Sequence, residues 1–409
     1  MAIAPHIKEI MNNKNASAIR KMFEEGNILK QKYGEENVFD FSIGNPDLDP
    51  PSQVIKTIKD IAEEEIKGCH GYMPNAGYIQ TRQAIANKIS LEQGISLDGN
   101  SIIMSVGAAA ALNCVFKAIL SPEDEIIVPA PFFAEYTHYT RNHGGVLFPV
   151  STNKDFSLNI KNIENALSLK TAAVLINSPN NPTGKIYTEQ EIKELIQVLE
   201  NHGKKTGRKP YLICDEPYRD IVYENKTVSS IFPFYSESII VSSFAKNLSL
   251  PGERLGYIAV NPQCKDHEEL VAACIFTTRI LGFVNAPAFF QRVIAKSWNS
   301  SVDFSSYEKR RNLLMKVLDE VGIDYAHPEG AFYLFCRVPP KKSVLEAQDT
   351  GWIGDDNEFC SHLKEYKILC APGTGFGCSG WFRMSYCTSE TTIQNCQKAF
   401  EEAIKIWQS

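Results

Sequence analysis

Between residues 101 and 243 the chain repeatedly sets a short, β-branched apolar run bounded by turn residues against segments with helical spacing. SIIMSV (101–106), EIIVPA (125–130), GVLFPV (145–150), AAVLIN (172–177), YLICD (211–215) and SIIVSS (238–243) are the runs, and they read as buried strands. TEQEIKELIQVLENHG (188–203) opens with a capping box, Thr188 with Glu191, spaces its apolar residues helically and predicts a helix that stops at Gly203. Strands of this kind need helices over both faces of their sheet. The alternation therefore predicts an α/β domain with a largely parallel sheet, in which ligands bind just beyond the carboxyl ends of the strands.

The flanks differ. Residues 14–33 (KNASAIRKMFEEGNILKQKY) predict an amphipathic helix, and beyond about residue 285 a long helical stretch gives way to a mixed α+β tail. This places a large domain at 50–290 and a smaller one at 1–49 and 291–409. HGKKTGRKP (202–210) and PPKKSVLEAQDTGWIGDDN (339–357) read as solvated loops, the second alternatively as a flap over a site. No internal repeat interrupts this organisation.

Composition narrows the classes. The 409 residues suffice for two domains, and 44% hydrophobic with 22% charged residues is an ordinary globular balance. A formal net charge of -6 argues against a nucleic-acid partner. No stretch reaches the ~18 to 20 unbroken apolar residues that span a bilayer. The start MAIAPHIKEIMNNKNAS has neither an apolar signal core nor an arginine-rich amphipathic pattern, so no membrane partner and a cytoplasmic location are expected. The 11 cysteines form no C-x-x-C pair and the 8 histidines no ligand spacing, which predicts mostly buried thiols and no metal site.

The residues just past the runs are more specific than the runs. Asp215-Glu216-Pro217-Tyr218 closes the fifth, SPNNPTG with Asn181 and Gly184 follows the fourth, Phe244-Ala245-Lys246 follows the sixth, and Gly107 with four alanines follows the first. Together with FSIGNPD (41–47), GYMPNAGYIQTRQAIA (71–86), SFAKNLSLPGERLGY, PEGAFYLF (328–335) and CAPGTGFGCSGWFRMSY (370–386), this series spans essentially the whole chain. In order and spacing it resembles the class I pyridoxal-phosphate-dependent aminotransferases of the aspartate, alanine and aromatic type. The resemblance implies fold type I, a large domain with a mostly parallel seven-stranded sheet flanked by helices plus a smaller α+β domain drawn from both termini.

It also implies roles. Lys246 is matched to the lysine that forms a Schiff base with pyridoxal 5'-phosphate and shuttles the substrate Cα proton, chemistry that needs a deprotonated amine and hence burial near positive charge. Asp215 is matched to the carboxylate that keeps the pyridine nitrogen protonated, and Asn181 and Tyr218 to the partners of the ring hydroxyl. Gly107, Ala108 and Ala109 form the helix start for the phosphate, completed by Ser243 and by Arg254 as a planar fork. Phe133 supplies the stacked ring, where many members carry Trp or Tyr. Tyr72 is matched to a tyrosine that reaches the phosphate of a neighbouring subunit, which implies a homodimer with shared active sites.

Arg383 and the Gly44 backbone are matched to the α-carboxylate contacts. A basic residue that one aspartate-specific branch carries in the phosphate helix is replaced here by Ala109 or Ala110. Arg279 stands near the place of a partner-subunit arginine that binds a distal carboxylate, displaced by one residue relative to Asn285-Ala286-Pro287, and is alternatively an ordinary helix-end arginine. The implied activity moves an amino group from aspartate, alanine or an aromatic amino acid to a 2-oxo acid such as 2-oxoglutarate. A β-elimination lyase uses the same cofactor residues and is the nearest alternative. A cofactor-sensing regulator is the remote one, and FSIGNPD beginning at residue 41 leaves little room for a DNA-binding domain ahead of it.

Overall fold

The computed structural model describes residues 2–12, 18–64, 66–347 and 353–409. All six apolar runs become strands of one sheet: β1 (Ile102–Ser105), β2 (Glu125–Ala130), β3 (Val146–Ser151), β4 (Thr171–Asn177), β5 (Tyr211–Asp215) and β6 (Ser238–Ser243). A seventh strand, β7 (Gly256–Val260), inserts between β1 and β6 and gives the order β1-β7-β6-β5-β4-β2-β3. It runs antiparallel to both neighbours while the other pairs are parallel. Its five residues open on a glycine, a poor strand former, and stand out less than the six runs.

The sheet is buried on both faces except at its edge strand β3, whose apolar run predicts burial but which is mostly exposed because it has a neighbour on one side only, with Val146 at 47% and Phe148 at 41%. Along β5, Leu212 and Cys214 face a core shared with Ile192, Leu195 and Leu199 of the long helix α2 (Glu189–Thr206). Ile213 faces the opposite core, with Leu112, Val115 and Phe116 of α1 (Gly107–Ile119). The capping box at Thr188 and Glu191 forms as expected. The helix does not stop at Gly203, however, but continues one turn to Gly207, whose φ of 78° closes it. Gly203 is instead a buried helical position over which the Lys209 side chain packs. The expected loop at 202–210 is thus helical in its first half.

The N-terminal helix occupies Ala18–Tyr33, and residues 14–17 of the expected helix lie outside the described residues. The stretch 339–357 is not one loop: Lys342–Ala347 is helical and Asp356 begins the helix Asp356–Glu365, while 348–352 lie outside the described residues. A second core gathers Phe41 with Tyr218, Tyr307, Phe332, Phe359, Phe382 and Trp407, around a four-stranded sheet that includes Tyr333–Arg337 and Trp381–Ser385. Phe39–Asp40 pairs with Ile368–Leu369, which ties the N-terminal segment to this part of the chain. Eight of the eleven cysteines are buried and all are free thiols.

Candidate active site

Beyond the carboxyl ends of β4, β5 and β6 lies a cavity of about 440 Å³. Asp215 and Ser243 reach it from the last positions of β5 and β6, and Asn181, Tyr218 and Lys246 from the segments that follow β4, β5 and β6. Gly107, Ala108 and Ala109 reach it from the start of α1, Phe133 from the segment after β2, and Arg254 from the turn before β7. Gly44 and Arg383 close it from the segment and sheet of the second core. Two expected residues are not brought there. Tyr72 is 94% exposed on the outer surface, and Arg279 is exposed in the last turn of α3 (His267–Ile280), its guanidinium 5.2 Å from the Phe276 ring.

Asp215 ends β5 and is buried, so its carboxyl is pushed up to about 7 by loss of water, an effect opposed by a hydrogen bond. That bond comes from the Tyr136 hydroxyl, which donates to Oδ2 at 2.6 Å, while Oδ1 has no partner. The strand end is held by Asn177, whose amide donates to the Asp215 carbonyl at 2.7 Å and whose Oδ1 accepts the Asn181 N–H at 2.7 Å. One side chain thereby registers the NNP turn against the aspartate. Tyr136 also sets its ring edge-on to Phe133, with centroids 5.5 Å apart.

Lys246 Nζ donates to the Gly44 carbonyl at 2.8 Å and lies 5.3 Å from the Phe332 ring. Burial first, with Arg383 and Arg254 adding repulsion, lowers its pKa to about 8. An amine so placed is a nucleophile near neutral pH, which an exposed lysine is not.

Arg254 takes a left-handed backbone at φ 53° and donates through Nη1 to the Pro251 carbonyl at 2.9 Å. Its guanidinium comes so close to Gly107, φ 81°, that a Cβ there would meet Nη2 at 2.9 Å. Only glycine lets the helix start and the guanidinium share this end of the cavity. Arg383 is buried, donates to Asn181 Oδ1 at 3.0 Å and to the Ser42 carbonyl at 2.7 Å, and keeps an unpartnered Nε. Its guanidinium lies 4.5 Å from the Tyr333 ring and 4.8 Å from the Phe376 ring. The Tyr333 hydroxyl bonds that of Tyr218 at 2.9 Å and would strike any side chain at position 44.

Tyr136, Asn177, Ser42 and Tyr333 escape a reading of the sequence. Tyr333 stands inside the quoted PEGAFYLF series and Asn177 in the last position of a strand run, so position could have drawn attention to both. Ser42 likewise stands inside FSIGNPD, whereas for Tyr136 only the folded contacts reveal a role.

Residues 36–400 match the family model for aminotransferase class I and II. The chain belongs to that family. It is 30% identical to the aromatic-amino-acid aminotransferase 2 of Thermococcus litoralis over 96% of each chain. It is 31% identical to the probable aspartate/prephenate aminotransferase of Aquifex aeolicus, covering 90% of this chain and 92% of that one. Among solved structures, an aminotransferase from Eubacterium rectale superposes with a TM-score of 0.92 at 36% identity over 100% of both chains. The aspartate aminotransferase of Thermus thermophilus with maleate does so with 0.82 at 27% identity, over 95% of this chain and 96% of that one.

This aminotransferase accordingly depends on pyridoxal 5'-phosphate, and the β-elimination alternative is not favoured. The cavity fits that group on its own terms. Asp215 Oδ1 is a buried acceptor without a donor, as a protonated ring nitrogen would supply. The Gly107 helix start beside Arg254 is a cradle for a dianion. Among the described residues no helix is long and apolar enough to cross a membrane, and no group of three or more His, Cys, Asp or Glu is placed to hold a metal ion.

Proposed function

We propose that this aminotransferase takes its amino group from an aspartate, alanine or aromatic donor and passes it to a 2-oxo acid such as 2-oxoglutarate, with the cavity residues in the following roles. The observation that carries the reading is the convergence on one cavity of a lysine with lowered pKa, a buried carboxylate with one free oxygen and two guanidinium groups. When bound, pyridoxal phosphate supplies an electrophilic carbonyl conjugated to an electron-accepting ring. Lys246 would hold that carbonyl, and its freed amine then moves the proton at the substrate Cα. Asp215 would hold the ring nitrogen, with Asn181 and Tyr218 at the ring hydroxyl and Phe133 on the ring face.

Gly107, Ala108, Ala109, Ser243 and Arg254 would hold the phosphate. Arg383 orients the substrate by its α-carboxylate, through the open Nε and the fork it already presents, beside Gly44. Aspartate and aromatic donors are supported by the names of the relatives quoted above.

The working unit is a homodimer in this proposal. Tyr72, 94% exposed among the described residues, would reach a partner's phosphate site, and Arg279 could bind a distal carboxylate only through such a dimer. The division into a large part at 50–290 and a small part at 1–49 and 291–409, like a cytoplasmic location, belongs to the proposal too. The test is a panel of amino acids mixed with cofactor-loaded protein while the aldehyde absorbance is followed. Donors bleach the band and 2-oxo acids restore it; a protein with no aldehyde band, or one that no amino acid bleaches, overturns the reading.

A further inference from the structure

The cavity holds one charge that the roles above leave idle. Glu135 lines it, two residues beyond Phe133 and at the start of the helix Tyr136–Asn142. One turn later on the same helix face, Tyr139 lines it as well. The Glu135 side chain lines the cavity while remaining exposed to solvent, and its carboxylate makes no hydrogen bond or ion pair with any described residue. Burial of Tyr139 first, and the Glu135 charge next, hold the Tyr139 hydroxyl protonated.

The positive charges are already committed. Lys246, Arg254 and Arg383 are the cationic side chains lining the cavity among the described residues. Lys246 is needed at the reacting carbon, Arg254 stands against Gly107 at the phosphate end, and Arg383 faces the α-carboxylate. Among the described residues no fourth cation lines the wall, which continues through Ile43, Leu112, Phe133 and Tyr139. A second carboxylate on a substrate would meet an unpaired anion and no counter-charge. An arginine supplied by a partner subunit would have to neutralise Glu135 before it could serve a substrate.

We infer that Glu135 is a specificity-determining residue, selecting substrates whose side chain is neutral or ends in a hydrogen-bond donor or cation, and disfavouring those with a second carboxylate. The inference rests on the aminotransferase reading and sharpens its substrate class towards aromatic rather than dicarboxylic donors. Both half-reactions use one cavity, so the same penalty falls on aspartate as donor and on 2-oxoglutarate as acceptor. Two like charges within a Debye length of each other in a solvent-exposed cleft correspond to roughly a two- to threefold effect.

The experiment compares cofactor-loaded wild type with Glu135→Gln and Glu135→Ala. Dissociation constants are measured for unreactive acids that share the α-carboxylate contact: succinate, 3-phenylpropionate and 5-aminopentanoate. Succinate is expected to tighten about threefold in both variants, 3-phenylpropionate to change less than about 1.5-fold, and 5-aminopentanoate to weaken about twofold. The kcat/KM ratios of aspartate over phenylalanine, and of 2-oxoglutarate over phenylpyruvate, should rise by the same factor as succinate tightens. If succinate binding and both ratios stay within about 1.5-fold of wild type, or if succinate weakens, the assignment of Glu135 is wrong. Those results leave the aminotransferase reading intact, because that reading fails only when no amino acid bleaches the aldehyde band.

Discussion

Asp215 and Glu216 are neighbours in sequence, both buried, and point to opposite sides of the end of β5. On the far side Glu216 is clasped by Arg219, whose Nη1 reaches Oε1 and Oε2 at 3.0 Å each. Arg219 also meets Glu92 at 3.6 Å, Lys88 bridges Glu92 and Asp220, and Asn247, next to Lys246, donates to Asp220 at 2.8 Å. Burial pushes Glu216 up to about 7, like Asp215, even against the pull of the Arg219 guanidinium, so the two differ not in that value but in having a cationic partner within the fold. Asp215 has only a tyrosine hydroxyl and an idle oxygen. The contrast separates architecture from receptor: a buried carboxylate whose lone pairs are all answered holds the chain together, and one left unanswered waits for a ligand.

The sharpest way to break that contrast is at the amine. Lys246→Ala should abolish covalent capture of the cofactor and lower turnover by roughly 10⁵-fold, read from the aldehyde band and steady-state rates. In wild type, capture should accelerate about tenfold per pH unit up to about 8 and then level, because only the neutral amine attacks and its pKa is lowered to about 8. A capture rate flat between pH 6 and 8 would remove the amine from this role.

At Asp215 function and stability should part. An aspartate with a folded pKa of about 7 and an ordinary value of 3.8 destabilises the cofactor-free fold when ionised, absent below pH ~4 and complete above pH ~7. Asp215→Asn should therefore lower turnover roughly 10³-fold yet stabilise the cofactor-free protein by about 2 to 4 kcal/mol at pH 8, and much less at pH 5. Thermal unfolding at the two pH values checks it. Glu216→Gln should do the reverse, destabilising by about 3 kcal/mol because Arg219 loses its partner, while the folded fraction keeps most of its turnover. Equal signs for the two variants would collapse the comparison.

How far the sequence carries this depends on what each residue does. The six strands were legible because a parallel sheet demands unbroken apolar runs, and α2 was legible from its cap. Its end was not, since Gly203 and Gly207 look alike in sequence and only the Lys209 contact and a positive φ tell packing from termination. Residues whose chemistry is carried by their own type and place in a motif, such as Lys246, Asp215, Arg254 and Arg383, were legible and do line one cavity. Asn177 and Tyr136 were not, because each acts by touching a residue 38 or 79 positions away. Tyr72 and Arg279 lie outside the cavity, and the roles proposed for them need a second subunit and would leave no trace in one chain's contacts.

The smallest effect tests whether Asp215 is tuned by its single partner. The Tyr136 hydroxyl donates to Oδ2 and so favours the ionised carboxylate, opposing the burial that raises the pKa to about 7. Tyr136→Phe should raise that pKa further, so that at neutral pH more of the acid is protonated and unable to hold a protonated ring nitrogen. Cofactor affinity of the cofactor-free protein should fall about tenfold at pH 7, and the pH at which it begins to fail on acidification should move up. Fluorescence titrations between pH 6 and 9 read both. A cofactor analogue with carbon in place of the ring nitrogen supplies the control: it cannot use Asp215 as a partner, so wild type and variant should bind it alike. If the variant weakens both compounds equally, Tyr136 works through its packing against Phe133 and not through the carboxylate.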